Sequence, residues 1–103
     1  MIALTDQDAD AFSYSKIVEV KPEIVKFNRS WCEYDLNDAS YLRMVKDIVR
    51  NLNSDGMFTG LTGVRGFREF KFAADCGFTR CQGRFFGIPS PEMEVGERFT
   101  IPN

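Results

Sequence analysis

The chain has 103 residues, the length of one small domain, and its 44% hydrophobic content can supply a core without staples. An aromatic content of 14% argues against disorder. The formal net charge of −2 gives no whole-chain argument for nucleic acid, a charged membrane surface or a polyanion mimic.

The opening ten residues, Met1 to Asp10, carry no basic region and no long apolar run, so they do not read as a secretory signal. No window approaches the ~20 apolar residues of a membrane span. The expectation is a complete, soluble, cytoplasmic protein. Cys32, Cys76 and Cys81 are odd in number and lack framework spacing, which predicts reduced thiols. A zinc site would need Asp75 as fourth ligand and has no paired Cys knuckle.

In chain order, residues 1–14 are acidic, with Asp6, Asp8 and Asp10 at alternate positions. A calcium loop would also need a glycine and a distal glutamate, so the expectation is a solvated arm or a short helix after Thr5. Residues 15–34 read as one or two strands. Ile17, Val18 and Val20 lead to Pro22, which marks an edge, bulge or turn. Val25, Phe27 and Trp31 then fall at even steps, the pattern of a half-buried antiparallel strand, with Arg29 marking its exit.

The clearest element follows. Tyr41, Leu42, Val45, Ile48, Val49 and Leu52 form one stripe at a 3.6-residue period, so residues 37–53 are predicted as an amphipathic helix. Asn37 is the expected N-cap, and Gly56 is placed to take the left-handed conformation after the last turn. Residues 56–66 hold four glycines but no lysine, so a turn or hairpin is expected there and not a phosphate loop.

Phe70, Phe72 and Ala74 share one parity, which suits a strand; a short helix ending at Gly77 fits residues 64–76 nearly as well. Residues 78–88 read as a strand in which Gly83 and Gly87 mark bulges or a close neighbour. A turn at Pro89–Pro91 and a closing strand through Ile101 complete the chain. The predicted architecture is α+β: one long amphipathic helix on an antiparallel sheet of about four to five strands, in a single domain spanning 1–103.

There is no histidine, which removes the usual general base and the commonest metal ligand. No cofactor, metal or catalytic constellation is expected. The stretch with functional signal is 65–84. Between Met57 and Ile88, Arg65, Arg68, Lys71, Arg80 and Arg84 oppose Glu69 and Asp75, a net of +3 that leaves −5 for the remainder. Half of the aromatic residues lie in the same segment. Arg65-Gly66-Phe67-Arg68-Glu69-Phe70-Lys71-Phe72 partly resembles the RNP1 strand of RNA-recognition motifs in its Arg-Gly-Phe start and final Phe. It departs at Arg68 and Glu69, where that motif has a small residue and a base-stacking aromatic, and no family is assigned on it.

Arg65, Phe67, Arg68, Lys71, Arg80 and Arg84 are the candidate binding residues. The expected function is a small non-catalytic protein that binds another protein bearing an acidic patch, as a regulator or inhibitor. The alternatives are single-stranded nucleic-acid binding through 65–84, and an enzyme using carboxylate or arginine chemistry in a cleft.

Overall fold

The computed structural model describes residues 2–87 and 92–95. Short strands alternate with helices from the start: β1 (Ala3–Gln7), α1 (Tyr14–Val20), β2 (Ile24–Phe27), α2 (Ala39–Ser54), β3 (Phe58–Thr62), α3 (Phe67–Cys76), β4 (Arg80–Gln82) and β5 (Met93–Glu94). One-turn 3-10 segments lie at Ala9–Ala11, Arg29–Cys32 and Arg84–Phe86.

The sheet order is β1-β2-β3-β4-β5. Among the described residues, β1 to β4 run parallel and β5 is antiparallel to β4. This corrects the antiparallel sheet expected from the sequence. Parallel neighbours need a crossover, and each of the three helices supplies one. The α+β expectation stands only in its coarse form, a mixed five-stranded sheet with helices.

Several local expectations change with it. The predicted strand over Ile17–Val20 is α1, capped by Ser13, whose Oγ accepts from the Lys16 amide. The predicted acidic arm contains β1. Trp31 lies beyond β2 in a 3-10 turn, so the strand ends at Phe27. The glycine-rich hairpin is instead β3 followed by a turn at Gly63, whose φ is +78°. Residues 67–76 are helical, stopped by Gly77 at φ +87°. The segment 78–88 holds only the three-residue β4 and a 3-10 turn. Of the predicted closing strand, Glu94 in β5 and Val95 after it are described; the rest, with the Pro89–Pro91 turn, lies outside the described residues.

The long helix is where the sequence placed it. Its N-cap is Asp38 and not Asn37: one Asp38 carboxylate oxygen accepts from the amides of Ser40 and Tyr41. Val45, Val49 and Leu52 are fully buried, whereas Ile48 is only half-buried. The stripe is therefore centred one position further round than its spacing suggests.

One core forms between the sheet and the helices. Val25 and Phe27 of β2, Leu61 of β3 and Cys81 of β4 meet Ile17 of α1, Val45, Val49 and Leu52 of α2, and Phe72, Ala73 and Cys76 of α3. Phe27 is its aromatic centre, with ring centroids 4.8 Å from Trp31, 5.0 Å from Phe78 and 5.4 Å from Phe12. Among the described residues, Thr59 is the buried polar one, and it is satisfied. Its hydroxyl donates to Asn53 at 3.0 Å, while Thr79 donates to its carbonyl at 2.8 Å. Asn53 also donates to the Gly77 carbonyl at 3.0 Å, tying the end of α2 to the end of α3. No helix among the described residues is long and apolar enough to cross a membrane.

The three cysteines are free and buried. Burial pushes their thiols up from an ordinary 9.0: Cys32 to about 12, with the Glu69 charge adding to the effect, Cys76 to about 11, and Cys81 to about 12. Each folded thiol thus holds its proton more tightly than the unfolded one. Their contribution to stability is full below pH 9, and it falls as pH rises through the folded values. We expect the urea midpoint to drop between about pH 9 and about pH 12, and Cys81→Ala to flatten that drop. A midpoint with the same pH dependence in both proteins would show that Cys81 is not protected. Thiol reagents should label the three slowly in native protein and quickly after denaturation.

Candidate binding surface

The six candidate residues do not form one surface. Arg65, Phe67, Arg68 and Lys71 gather at the start of α3. The helix begins after Gly66, and the Glu69 carboxylate reaches back to accept from the Arg65 amide at 3.0 Å. Phe70, Phe72, Ala73 and Cys76 turn into the core. Phe67, Arg68 and Lys71 are left on the outer side, and Phe67 is 53% exposed.

Arg68 is held in place. Its guanidinium donates to the Cys32 carbonyl at 2.9 Å and the Tyr34 carbonyl at 3.4 Å, so it bridges α3 to the turn before α2. Beyond these neutral acceptors, Nη1 also lies 3.8 Å from the Glu69 carboxylate. Lys71 pairs with Asp75 at 2.7 Å, one turn along. Arg68 and Lys71 also line a groove of about 460 Å³ between α3 and the start of α2, floored by Leu36, Leu42 and Phe72.

Arg80 lies on the opposite side of the sheet. Its guanidinium carbon sits 4.8 Å from the centre of the Phe58 ring, and Nη1 is 3.2 Å from Glu92. The same carboxylate takes Lys26 at 2.7 Å. The Lys26 hydrogen bond, assisted by Arg80, holds the Glu92 carboxyl below the usual range. Arg84 stands apart again, exposed in the 3-10 turn after β4. Nearby, Phe85 and Phe86 are half-buried, with ring centroids 5.9 Å and 6.0 Å from Phe70.

The helical geometry of 67–76 also removes the strand on which an RNP1-like reading depends. Of Phe67, Phe70 and Phe72, the latter two are buried.

Two clusters were not anticipated from the sequence. One is the Lys26–Glu92–Arg80 bridge, assembled by strand register from residues far apart in the chain. The other lies at the C-terminal ends of β1 and β2. Asn28 Nδ2 donates to the carboxylates of Asp6, at 3.1 Å, and Asp8. Asn28 Oδ1 in turn accepts from the Ser30 amide at 3.0 Å. Asp6 adopts a φ of +56° there. The alternating aspartates thus clasp an amide side chain that joins two strand ends. Among the described residues, no group of three or more His, Cys, Asp and Glu side chains is placed to hold a metal ion. Comparison with protein-family models, with curated proteins and with solved structures finds no match for this chain.

Proposed function

We propose that the chain is a small non-catalytic protein that binds another protein, as a regulator or inhibitor, through the outer side of α3. The observation that supports this is Phe67, a large aromatic 53% exposed between Arg65 and Arg68. Lys71 lies one turn on, and the ridge stays net positive after Glu69 and Asp75 are counted. An exposed aromatic flanked by arginine is the composition of an interface anchor. The groove beside it offers an apolar floor to a partner side chain. Asp35 and Asp75 line the groove beside Arg68 and Lys71, so the positive charge that would steer a partner with an acidic patch is that of the ridge, where Arg65, Arg68 and Lys71 outnumber Glu69 and Asp75. The buried, protonated cysteines are poor nucleophiles at neutral pH, in keeping with a non-catalytic role. Single-stranded nucleic acid remains the alternative, but a strand of bases needs successive stacking platforms, and Phe67 is the exposed ring of this ridge.

The test uses an immobilised acidic peptide and, for comparison, a single-stranded oligonucleotide of matched charge, at two salt concentrations. Retention of wild type on the peptide should weaken with salt. Arg65→Glu combined with Arg68→Glu should abolish it, at about 1 kcal/mol of stability for the lost Arg68 hydrogen bonds. Phe67→Ala should weaken it by roughly 1–2 kcal/mol. Stronger, Phe67-dependent retention on the oligonucleotide would favour the alternative. Retention of the folded double variant equal to wild type would sink the ridge as a binding surface.

A further inference from the structure

The groove between α3 and the start of α2 has a charge pattern that an acidic partner does not account for. Arg68 and Lys71 line it, but so do Asp35 and Asp75, and the two signs balance. Leu36, Leu42 and the buried Phe72 give it an apolar floor. Its volume of about 460 Å³ is that of a small-molecule site, where a few placed polar groups orient a ligand over apolar surface.

Two of these charges are held by the backbone and not by each other. Arg68 Nη1 and Nη2 donate to the Cys32 and Tyr34 carbonyls. Asp35 Oδ1 accepts from the Asn37 amide at 2.9 Å. Lys71 and Asp75 neutralise each other along α3, at 2.7 Å. Arg68 and Asp35 do not: among the described residues no ion pair joins them, and Glu69, 3.8 Å from Arg68 Nη1, is not part of the groove lining. The backbone contacts use only part of what each group offers. The guanidinium keeps further N–H donors, and the carboxylate keeps its second oxygen. A cation and an anion are thus oriented in one apolar-floored groove without satisfying each other.

We infer that this groove binds a free α-amino acid with an aliphatic or aromatic side chain. The mixed lining selects that class. A simple anion would meet Asp35 and Asp75, and a simple cation would meet Arg68 and Lys71. An uncharged apolar molecule would suit the floor but strip water from Arg68 and Asp35 without replacing it. A zwitterion answers both signs and brings no net charge. Its carboxylate goes to Arg68, whose planar fork fits a carboxylate, and its ammonium goes to Asp35. Its side chain then lies on Leu36, Leu42 and Phe72. The interior of a peptide carries neither backbone charge, and a peptide end carries only one of them. The inference does not rest on the ridge as a protein-binding surface: that test reads retention on a peptide, this one reads uptake of a free amino acid, and either can fail alone.

Titration of the full chain with L-leucine and with L-phenylalanine tests this, followed by NMR at the amides of Leu36, Leu42 and Lys71. Each is expected to saturate those shifts below about 10 mM, a weak affinity in keeping with a small, open site. N-acetyl-leucine lacks the ammonium and leucinamide lacks the carboxylate. Each should bind at least about tenfold more weakly than leucine. Asp35→Asn keeps an oxygen for the Asn37 amide, so the fold should persist. It should weaken leucine by about tenfold and leave N-acetyl-leucine as it was. Arg68→Gln should likewise weaken leucine and leave leucinamide as it was. Met44→Ala, at an exposed residue outside the groove, should leave the titration unchanged. Absence of saturation by either amino acid overturns the inference. So does equal affinity for leucine and N-acetyl-leucine, or a folded Asp35→Asn chain that binds leucine as wild type does.

Discussion

Val49→Asp is expected to abolish the native fold, while Lys46→Asp three residues earlier leaves it intact. Val49 is fully buried where α2 meets the sheet, in the core shared by all three helices. A γ-carbon of its side chain would lie 4.0 Å from a Cβ added at Gly77, the residue that ends α3. A carboxylate there would lose its water and gain no cationic partner. It must either pay several kcal/mol to stay charged, take up a proton, or pull α2 off the sheet. Total stability for a domain of this size is about 5–15 kcal/mol, so any of these outcomes consumes much of it. Lys46 is exposed on the outer side of the same helix. Reversing it should change stability by no more than about 0.5 kcal/mol. Its one electrostatic consequence reaches Cys76, whose thiol the Lys46 charge holds down against burial. Thermal unfolding followed by circular dichroism decides the matter: closely similar melting temperatures for the two variants would mean that the buried face of α2 is misassigned.

The contrast between these two sites also indicates what could be read from the sequence. A long helix carries its burial pattern in local spacing, and α2 was readable because its stripe runs through four turns. Even so, Ile48 is half-buried where spacing alone centres it in the core, because the position of the sheet decides which edge of the stripe is covered. The shorter helices were obscured. In α1 the β-branched Ile17, Val18 and Val20 favour a strand, yet Ser13 caps a helix there that buries only Ile17. In α3 the parity of Phe70 and Phe72 suits a strand. Phe70, Ala73 and Cys76, three residues apart, carry the helical signal, and Gly66 and Gly77 bracket it.

Strand direction was harder still. Antiparallel strands exposed on one face alternate in polarity, and Val25 and Phe27 alone fit that pattern. Ile24, on the other face of β2, is buried as well, so the strand lacks the clean alternation of a one-sided sheet. The candidate surface was half readable. Arg65, Phe67, Arg68 and Lys71 are neighbours in sequence and also on one helix end. Arg80 was grouped with them by proximity in the chain, yet alternation in β4 turns it to the other face, toward Lys26, Phe58 and Glu92. No local spacing announces a cluster made by the register of parallel strands.

The second large effect is expected at a position where the sequence offered a bulge or a close neighbour. Gly83→Ala should destabilise the protein strongly, and Gly60→Ala should not. At Gly83 the reason is contact and not backbone conformation, since its φ of 162° is extended and open to any residue. A Cβ there would fall 2.0 Å from the Val64 carbonyl oxygen and 2.3 Å from the Val64 nitrogen. These are backbone atoms held on both sides: the Val64 amide donates to the Gln82 carbonyl at 3.0 Å, and the Val64 carbonyl accepts from the Phe85 amide at 3.1 Å. Val64 is also fully buried, so it cannot retreat without opening the core. Overpacking of this kind costs about 1–3 kcal/mol or more, and each of the two hydrogen bonds strained adds about 1 kcal/mol. Each kcal/mol should lower the melting temperature by roughly 4–8 °C in a chain this small. At Gly60 the nearest atom to an added Cβ is the Lys26 γ-carbon at 3.6 Å, an ordinary contact. Alanine there should be neutral or slightly stabilising, because it removes backbone freedom from the unfolded chain. If the two variants melt together, the close approach of the β4 turn to Val64 is not a feature of the folded protein.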